Sequence, residues 1–225
     1  MSLLKSLAGD TAIYGISNIL TRILNYLILT PYLTNIFKGD DTGQYGIHAI
    51  MYSMSAILMI IFTFRMETAF FRFGSQDKFK GSSFSTAAIP LIVLTGFLML
   101  LVYLFAPQIA AALTKPADAR YVQYFAFIVG LDALAALPFA KLRLENKAWW
   151  FVTIKIINIV LTIVVIMFWL ELCPRLIDAG HPWFANIYQK DFILDYLFLA
   201  NIIASGAVLL LLIPCLLYTS DAADE

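Results

Sequence analysis

The chain has 225 residues, 61% of them hydrophobic and 13% charged, with 15 basic and 15 acidic side chains and a mean hydropathy of +0.84. Soluble domains carry about 25% charged residues, so this composition excludes a water-soluble globular protein and indicates an integral membrane protein. A formal net charge of zero removes the electrostatic case for a nucleic-acid partner.

Six apolar segments follow in order, at roughly 11–36, 45–71, 84–113, 120–140, 149–170 and 193–217. About 20 apolar residues suffice to cross a bilayer as a helix. In lipid only helices and closed barrels satisfy every backbone group, and the period-two alternation of barrel strands is absent. The expected fold is an all-α, polytopic membrane protein whose six transmembrane helices form one bundle over residues 1–217. The N-terminal MSLLKSLAGD is too short and too polar for a cleavable signal peptide, so the first segment is expected to be retained as a span.

That first segment holds Arg22 between Asn18 and Asn25, and Thr11, Asn18, Asn25 and Tyr32 recur every seven residues. On a helix these share one face. A charged residue at mid-bilayer costs at least ~2.5 kcal/mol and faces other helices or a wet cavity. The polar stripe is therefore either interhelical glue or the lining of a cavity.

The second segment ends in FRMETAFFRF, with Arg65 and Arg72 seven apart on one face and Glu67 on another. Arg72 is placed to snorkel toward headgroups. Arg22 lies ~10 Å deeper than Glu67 by helical rise, and a Glu67–Arg22 pair would lower the cost of both. Pro107 breaks the third segment late, so its spanning part is expected to end near Ala106. The fourth carries Asp132, and the fifth carries Lys155, Asn158 and Thr162 on one face. Asp132 and Lys155 lie at compatible depths for a buried ion pair. The sixth adds Asn201 and Ser205, four apart. Polar groups at these positions indicate a hydrophilic interior. Pro31, Pro90, Pro138 and Pro214, with Gly96 and Gly130, interrupt or border the spans, as in helices that kink or move.

The connections set an orientation. Lys5, Arg72, Lys78, Lys80, Lys141, Arg143 and Lys147 fall on one side, and Lys38, Lys115, Arg120, Arg175 and Lys190 on the other, which also bears most of the acids. The basic bias places the N-terminus in the cytoplasm. The longest loop, 171–192, is then external, with His181, Trp183, Phe184 and Tyr188 suited to an interface and to a short interfacial helix. Trp149 and Trp150 mark the inner interface. The last residues, YTSDAADE, are small and acidic. Residues 218–225 are expected to be a disordered tail, and CLLYTSDAADE resembles translated sequencing adapter, so the gene is expected to continue.

Chemistry-bearing motifs are absent. Cys173 and Cys215 lack metal-like or C-x-x-C spacing, and His48 and His181 are far apart. No phosphate-binding loop, zinc-protease motif or nucleophile elbow occurs. The expectation is a non-enzyme with no cofactor and no metal.

The arrangement resembles the polysaccharide-export flippases, the O-antigen and capsule flippases of the MATE-like transporter superfamily. The residues that carry the likeness are a first helix with Arg22, then LTPYLTNIF, a short loop into GQYGIHA, and a second helix ending in a charged segment before a basic loop. KLRLENKAWWFVTIKIINIVLTIVV, an inner loop feeding a helix with Asn158, completes the pattern. The resemblance implies a transporter of 12 to 14 helices in two pseudo-symmetric bundles, of which this chain matches the N-terminal one. It further implies a polyprenyl-pyrophosphate-linked oligosaccharide as cargo, the missing C-terminal bundle and membrane lipids as partners, and the inner membrane as location. Arg22 is the position the resemblance assigns to the pyrophosphate, since a guanidinium recognises phosphate bidentately. Arg65 and Lys155 follow, with Asn18, Asn25 and Asn158 beside them in a cavity. Glu67 and Asp132 are candidates for ion pairing or ion coupling. Two rivals remain open: a drug or cation antiporter of the same fold, and a non-transporting membrane scaffold.

Overall fold

The structure is a computed structural model that describes Ile19 and residues 29–37, 42–76, 83–115 and 118–221. Among the described residues it is helical nearly throughout, without a strand. A short helix α1 (Thr30–Ile36) precedes α2 (Thr42–Thr63), α3 (Met66–Gly74), α4 (Ser83–Leu104), α5 (Ala106–Leu113), α6 (Ala119–Leu144) and α7 (Ala148–Met167). A wide π turn (Phe168–Leu172) leads into α8 (Cys173–Asp178), and α9 (Pro182–Ala185) and a 3₁₀ turn (Lys190–Phe192) precede α10 (Ile193–Asp221).

Among the described residues five stretches are long and apolar enough to cross a membrane: Gly43–Thr63, Ser83–Leu104, Ala119–Leu144, Ala148–Asp178 and Ile193–Pro214. The chain is thus an all-α polytopic membrane protein. The first apolar segment falls largely outside the described residues, and with it Asn18, Arg22 and Asn25.

Burial patterns say which faces meet lipid. The inward stripe of α4 is Ser83, Ala87, Leu91 and Thr95, spaced four apart. Ile89, Ile92, Val93, Phe97 and Leu100 point outward and are exposed. Apolar outside and small or polar inside is the pattern of a helix solvated by hydrocarbon. α6 is the opposite case. Two-thirds of its span (67%) is buried, against 17% for α2 and α4, and α2, α3, α4, α5 and α10 all pack on it. Phe125, Val129 and Ala133 of α6 meet Leu194, Leu197 and Phe198 of α10 and Met51 and Phe62 of α2 in the main core. α10 also packs along α7. A cluster nearer the α6–α7 connection joins Phe139 and Leu142 to Phe151, Ile154 and Leu212.

Several boundaries differ from the expected ones. The second segment is two helices. Phe64 (φ 47°) and Arg65 (φ 55°) adopt left-handed conformations, which sterics make unfavourable by roughly 1–3 kcal/mol for each such non-glycine residue. Arg65 and Arg72 therefore do not share one continuous helix face. The break leaves the Phe62 carbonyl without a continuing helix, and the fully buried Thr95 hydroxyl of α4 donates to it at 3.3 Å. The third segment does end near Ala106. Phe105 interrupts it, and Pro107 sits in the first turn of α5, where its missing N–H goes unneeded. The fifth segment runs past residue 170 to Asp178. Pro174 is accommodated because it begins α8 after the π turn, so the first eight residues of the expected outer loop are helical. The last helix continues through Tyr218 to Asp221, four residues into the expected tail, with no proline or glycine after Pro214 to stop it.

Candidate functional site: a polar cavity inside the bundle

A cavity of about 340 Å³ lies between α6, α7 and α10, closed on its remaining side by Met59 of α2 and Glu67 of α3. Three helices line it by the same arithmetic. α7 supplies Phe151, Lys155 and Asn158, and α10 supplies Asn201, Ser205 and Val208, each set at i, i+4 and i+7. α6 supplies Asp132, Ala135, Ala136, Phe139 and Arg143. Eleven residues are just over three full helical turns, so Asp132 and Arg143 share a face and lie ~16 Å apart along the axis. The cavity thus extends from mid-helix depth to the end of the bundle bearing Lys141, Glu145 and Lys147.

At its deep end the Ser205 hydroxyl donates to Asp132 Oδ1 at 2.7 Å. Asn201 Nδ2 donates to its own helix at Leu197 O (2.9 Å), and Thr162 Oγ1 to Asn158 O (2.9 Å). The Asn201 oxygen is left unused by that bond, and the Asn158 side chain lines the cavity beside it. Asp132 and Lys155 act on each other electrostatically. Among the described residues, however, no carboxylate comes within ion-pair distance of the Lys155 ammonium. That ammonium sits 4.4 Å from the centroid of Phe139, a cation–π contact of about 0.5–2 kcal/mol. The expected buried pair is therefore a separated one, with a hydroxyl on the carboxylate and an aromatic face on the cation.

At the other end Arg143 Nη2 lies 3.4 Å from Glu67 Oε2, with each side chain about one-third exposed. The guanidinium also faces the rings of Phe71 (5.2 Å) and Phe151 (5.7 Å). Lys147 and Lys141 meet Glu145 at 3.0 and 3.8 Å, so the α6–α7 connection is a small charged network. Glu67 has Arg143 as its partner here; Arg22, the partner considered from sequence, lies outside the described residues.

The other end of the bundle is organised by aromatics. Tyr196 stacks on Trp169 (4.6 Å, 3°), accepts from the Gln189 N–H (2.9 Å) and donates to Ile187 O (3.2 Å). Arg120 meets Asp195 at 3.2 Å and donates to the Tyr121 hydroxyl at 2.7 Å. Glu171 takes Arg175 and the Tyr32 hydroxyl. In the loop, burial pushes the Tyr188 phenol up, helped by Tyr196 and Cys173. These contacts tie the 171–192 segment onto the bundle.

The structure brings together Glu67, Asp132, Lys155, Asn158, Asn201 and Ser205 from the residues singled out by sequence. Arg65 is not with them: it is exposed at the α2–α3 turn. Arg143 was read only as a topology-setting charge, although its spacing of eleven from Asp132 carried the signal. Trp149 and Trp150 are exposed beside the α6–α7 connection. Among the described residues no group of acidic, histidine or cysteine side chains could hold a metal ion. No family model matches this chain, and no curated protein or solved structure is similar to it.

Proposed function

We propose that the chain is the N-terminal, six-helix half of a 12–14-helix flippase, not an enzyme, that moves a polyprenyl-pyrophosphate-linked oligosaccharide across the inner membrane. The reading takes the N-terminus as cytoplasmic and surface polysaccharide, such as lipopolysaccharide, as the product served. The observation that carries it is Lys155: a cation deep in an apolar bundle, without a carboxylate at ion-pair distance among the described residues, lining a polar cavity. Such a residue is expensive in lipid and marks a pathway for polar cargo. Support also comes from the sequence resemblance and from the amides of Asn158 and Asn201, which suit sugar hydroxyls. In this reading the saccharide headgroup passes through the wet cavity while the lipid tail stays in the bilayer, and rocking of two bundles alternates access.

Asp132 favours a second reading, a drug or cation antiporter of the same architecture, because a carboxylate at that depth attracts cations. A scaffold without transport requires a dry interior, and a cavity of 340 Å³ with polar walls counts against it. The test uses the full-length gene in cells that depend on it. Lys155→Ala and Arg22→Ala are expected to lower surface polysaccharide at least about tenfold at equal protein level. Unchanged polysaccharide with both variants overturns the flippase reading, and resistance to ethidium or norfloxacin conferred by the gene installs the antiporter in its place.

A further inference from the structure

We infer that α3 is a hinged gate over the α6–α7 end of the cavity, latched by the Glu67–Arg143 pair. Four observations carry this. The hinge is Phe64–Arg65, two consecutive non-glycine residues held left-handed at a point where the sequence offers neither proline nor glycine to explain a break. Strain of this kind persists only where surrounding structure holds it, and it concentrates at switch regions. Above the hinge the chain is anchored, because Thr95 of α4 caps the Phe62 carbonyl from a fully buried position.

Below the hinge, α3 separates two spaces. Glu67 faces the polar cavity, while Met66, Phe70 and Phe73 on its other side line a second, apolar cavity, also of about 340 Å³, against α4. Ala69 and Phe73 are exposed along this cleft, so the hold on α3 from that side comes from one buried ring, Phe70, seated against Leu91 and Leu137. The Ser83 hydroxyl in that second space is buried and has no hydrogen-bond partner among the described residues. The latch itself is of modest strength: one 3.4 Å ion pair between side chains about one-third exposed, with the Arg143 guanidinium also facing Phe71 of α3 and Phe151 of α7. An exposed pair of this type biases a two-state equilibrium by up to about fivefold, which suits a gate that must both close and release. The inference rests on the cavity and not on its cargo, so it stands or falls separately from the flippase reading.

The test reads access, not transport. In protein reconstituted into nanodiscs, with Cys173→Ser and Cys215→Ser as background, Asn158→Cys reports the cavity through its rate of labelling by an impermeant maleimide. Glu67→Gln is expected to raise that rate about fivefold, and the exchanged pair Glu67→Arg with Arg143→Glu to return it to the starting value. Spin labels at Arg72→Cys and Trp149→Cys are expected to report a displaced α3 in Glu67→Gln. Filling the second cavity with Ala69→Phe is expected to slow labelling even with the latch intact, which keeps the idea testable should the charge variants fail to fold. Labelling that ignores Glu67→Gln and Ala69→Phe, or that rises with α3 unmoved, overturns the gate.

Discussion

Asp132 and Lys155 show how a membrane interior holds charge without closing it into a salt bridge. Each is compensated locally, the carboxylate by the Ser205 hydroxyl at 2.7 Å and the ammonium by the Phe139 face at 4.4 Å, and each feels the other across the cavity. Removing one takes away the attraction the other feels at low dielectric and leaves it with its local partner alone, which costs more than removing both. Lys155→Met is therefore expected to destabilise the protein by about 1–3 kcal/mol, and Asp132→Asn combined with it to recover most of the loss. Thermal unfolding in detergent, followed by tryptophan fluorescence, measures the cycle. Strictly additive losses would mean that the two charges are independent. The identity of these residues as interior groups was readable from their position in apolar runs. Their actual partners were not, because Ser205 lies 73 residues from Asp132 and no spacing rule connects them.

At the scale of elements, close helix approach is set by small residues. Gly130 on α6 has no room for a side chain: a Cβ there would lie 2.2 Å from Met99 Sδ of α4. Gly130→Ala must turn aside the flexible Met99 side chain and is expected to cost about 1 kcal/mol. Met99→Ala in the same chain should restore most of that stability, and the comparison of unfolding temperatures of the single and double variants decides it. In the sequence Gly130 read only as a helix interruption; the contact that gives it meaning comes from another helix. The same holds for the α2–α3 break. Periodicity and hydropathy continue through FRMETAFF, so a single helix was the natural expectation, and contacts from other helices, Thr95 on the Phe62 carbonyl and Leu91 and Leu137 on Phe70, accompany the turn of the chain at Phe64 and Arg65.

Taken whole, the molecule has a basic end and an end organised by stacked aromatics and two ion pairs. Arg143, Lys141 and Lys147 gather with Trp149 and Trp150 at the α6–α7 connection, while Trp169, Tyr188 and Tyr196 stack at the other. The proposed orientation puts the first in the cytoplasm. Single cysteines at Trp149 and at His181, in a background without Cys173 and Cys215, are expected to be labelled by an impermeant reagent from opposite sides of the membrane, His181 from outside intact cells. Labelling of Trp149→Cys from outside reverses the topology.

The amino-acid sequence by itself determined that this chain is helical and membrane-embedded, which segments are apolar, and that Asp132, Lys155, Asn158, Asn201 and Ser205 must turn away from lipid. Those properties follow from local composition and the 3.6-residue period, for which distant residues are not needed. Tertiary structure alone decided that these groups face one shared cavity, that Arg143 joins them and Arg65 does not, and that α3 lies between that cavity and an apolar cleft against α4. Helix rotation and crossing are chosen by the fit of side chains from segments far apart in the chain, and no single segment carries that information.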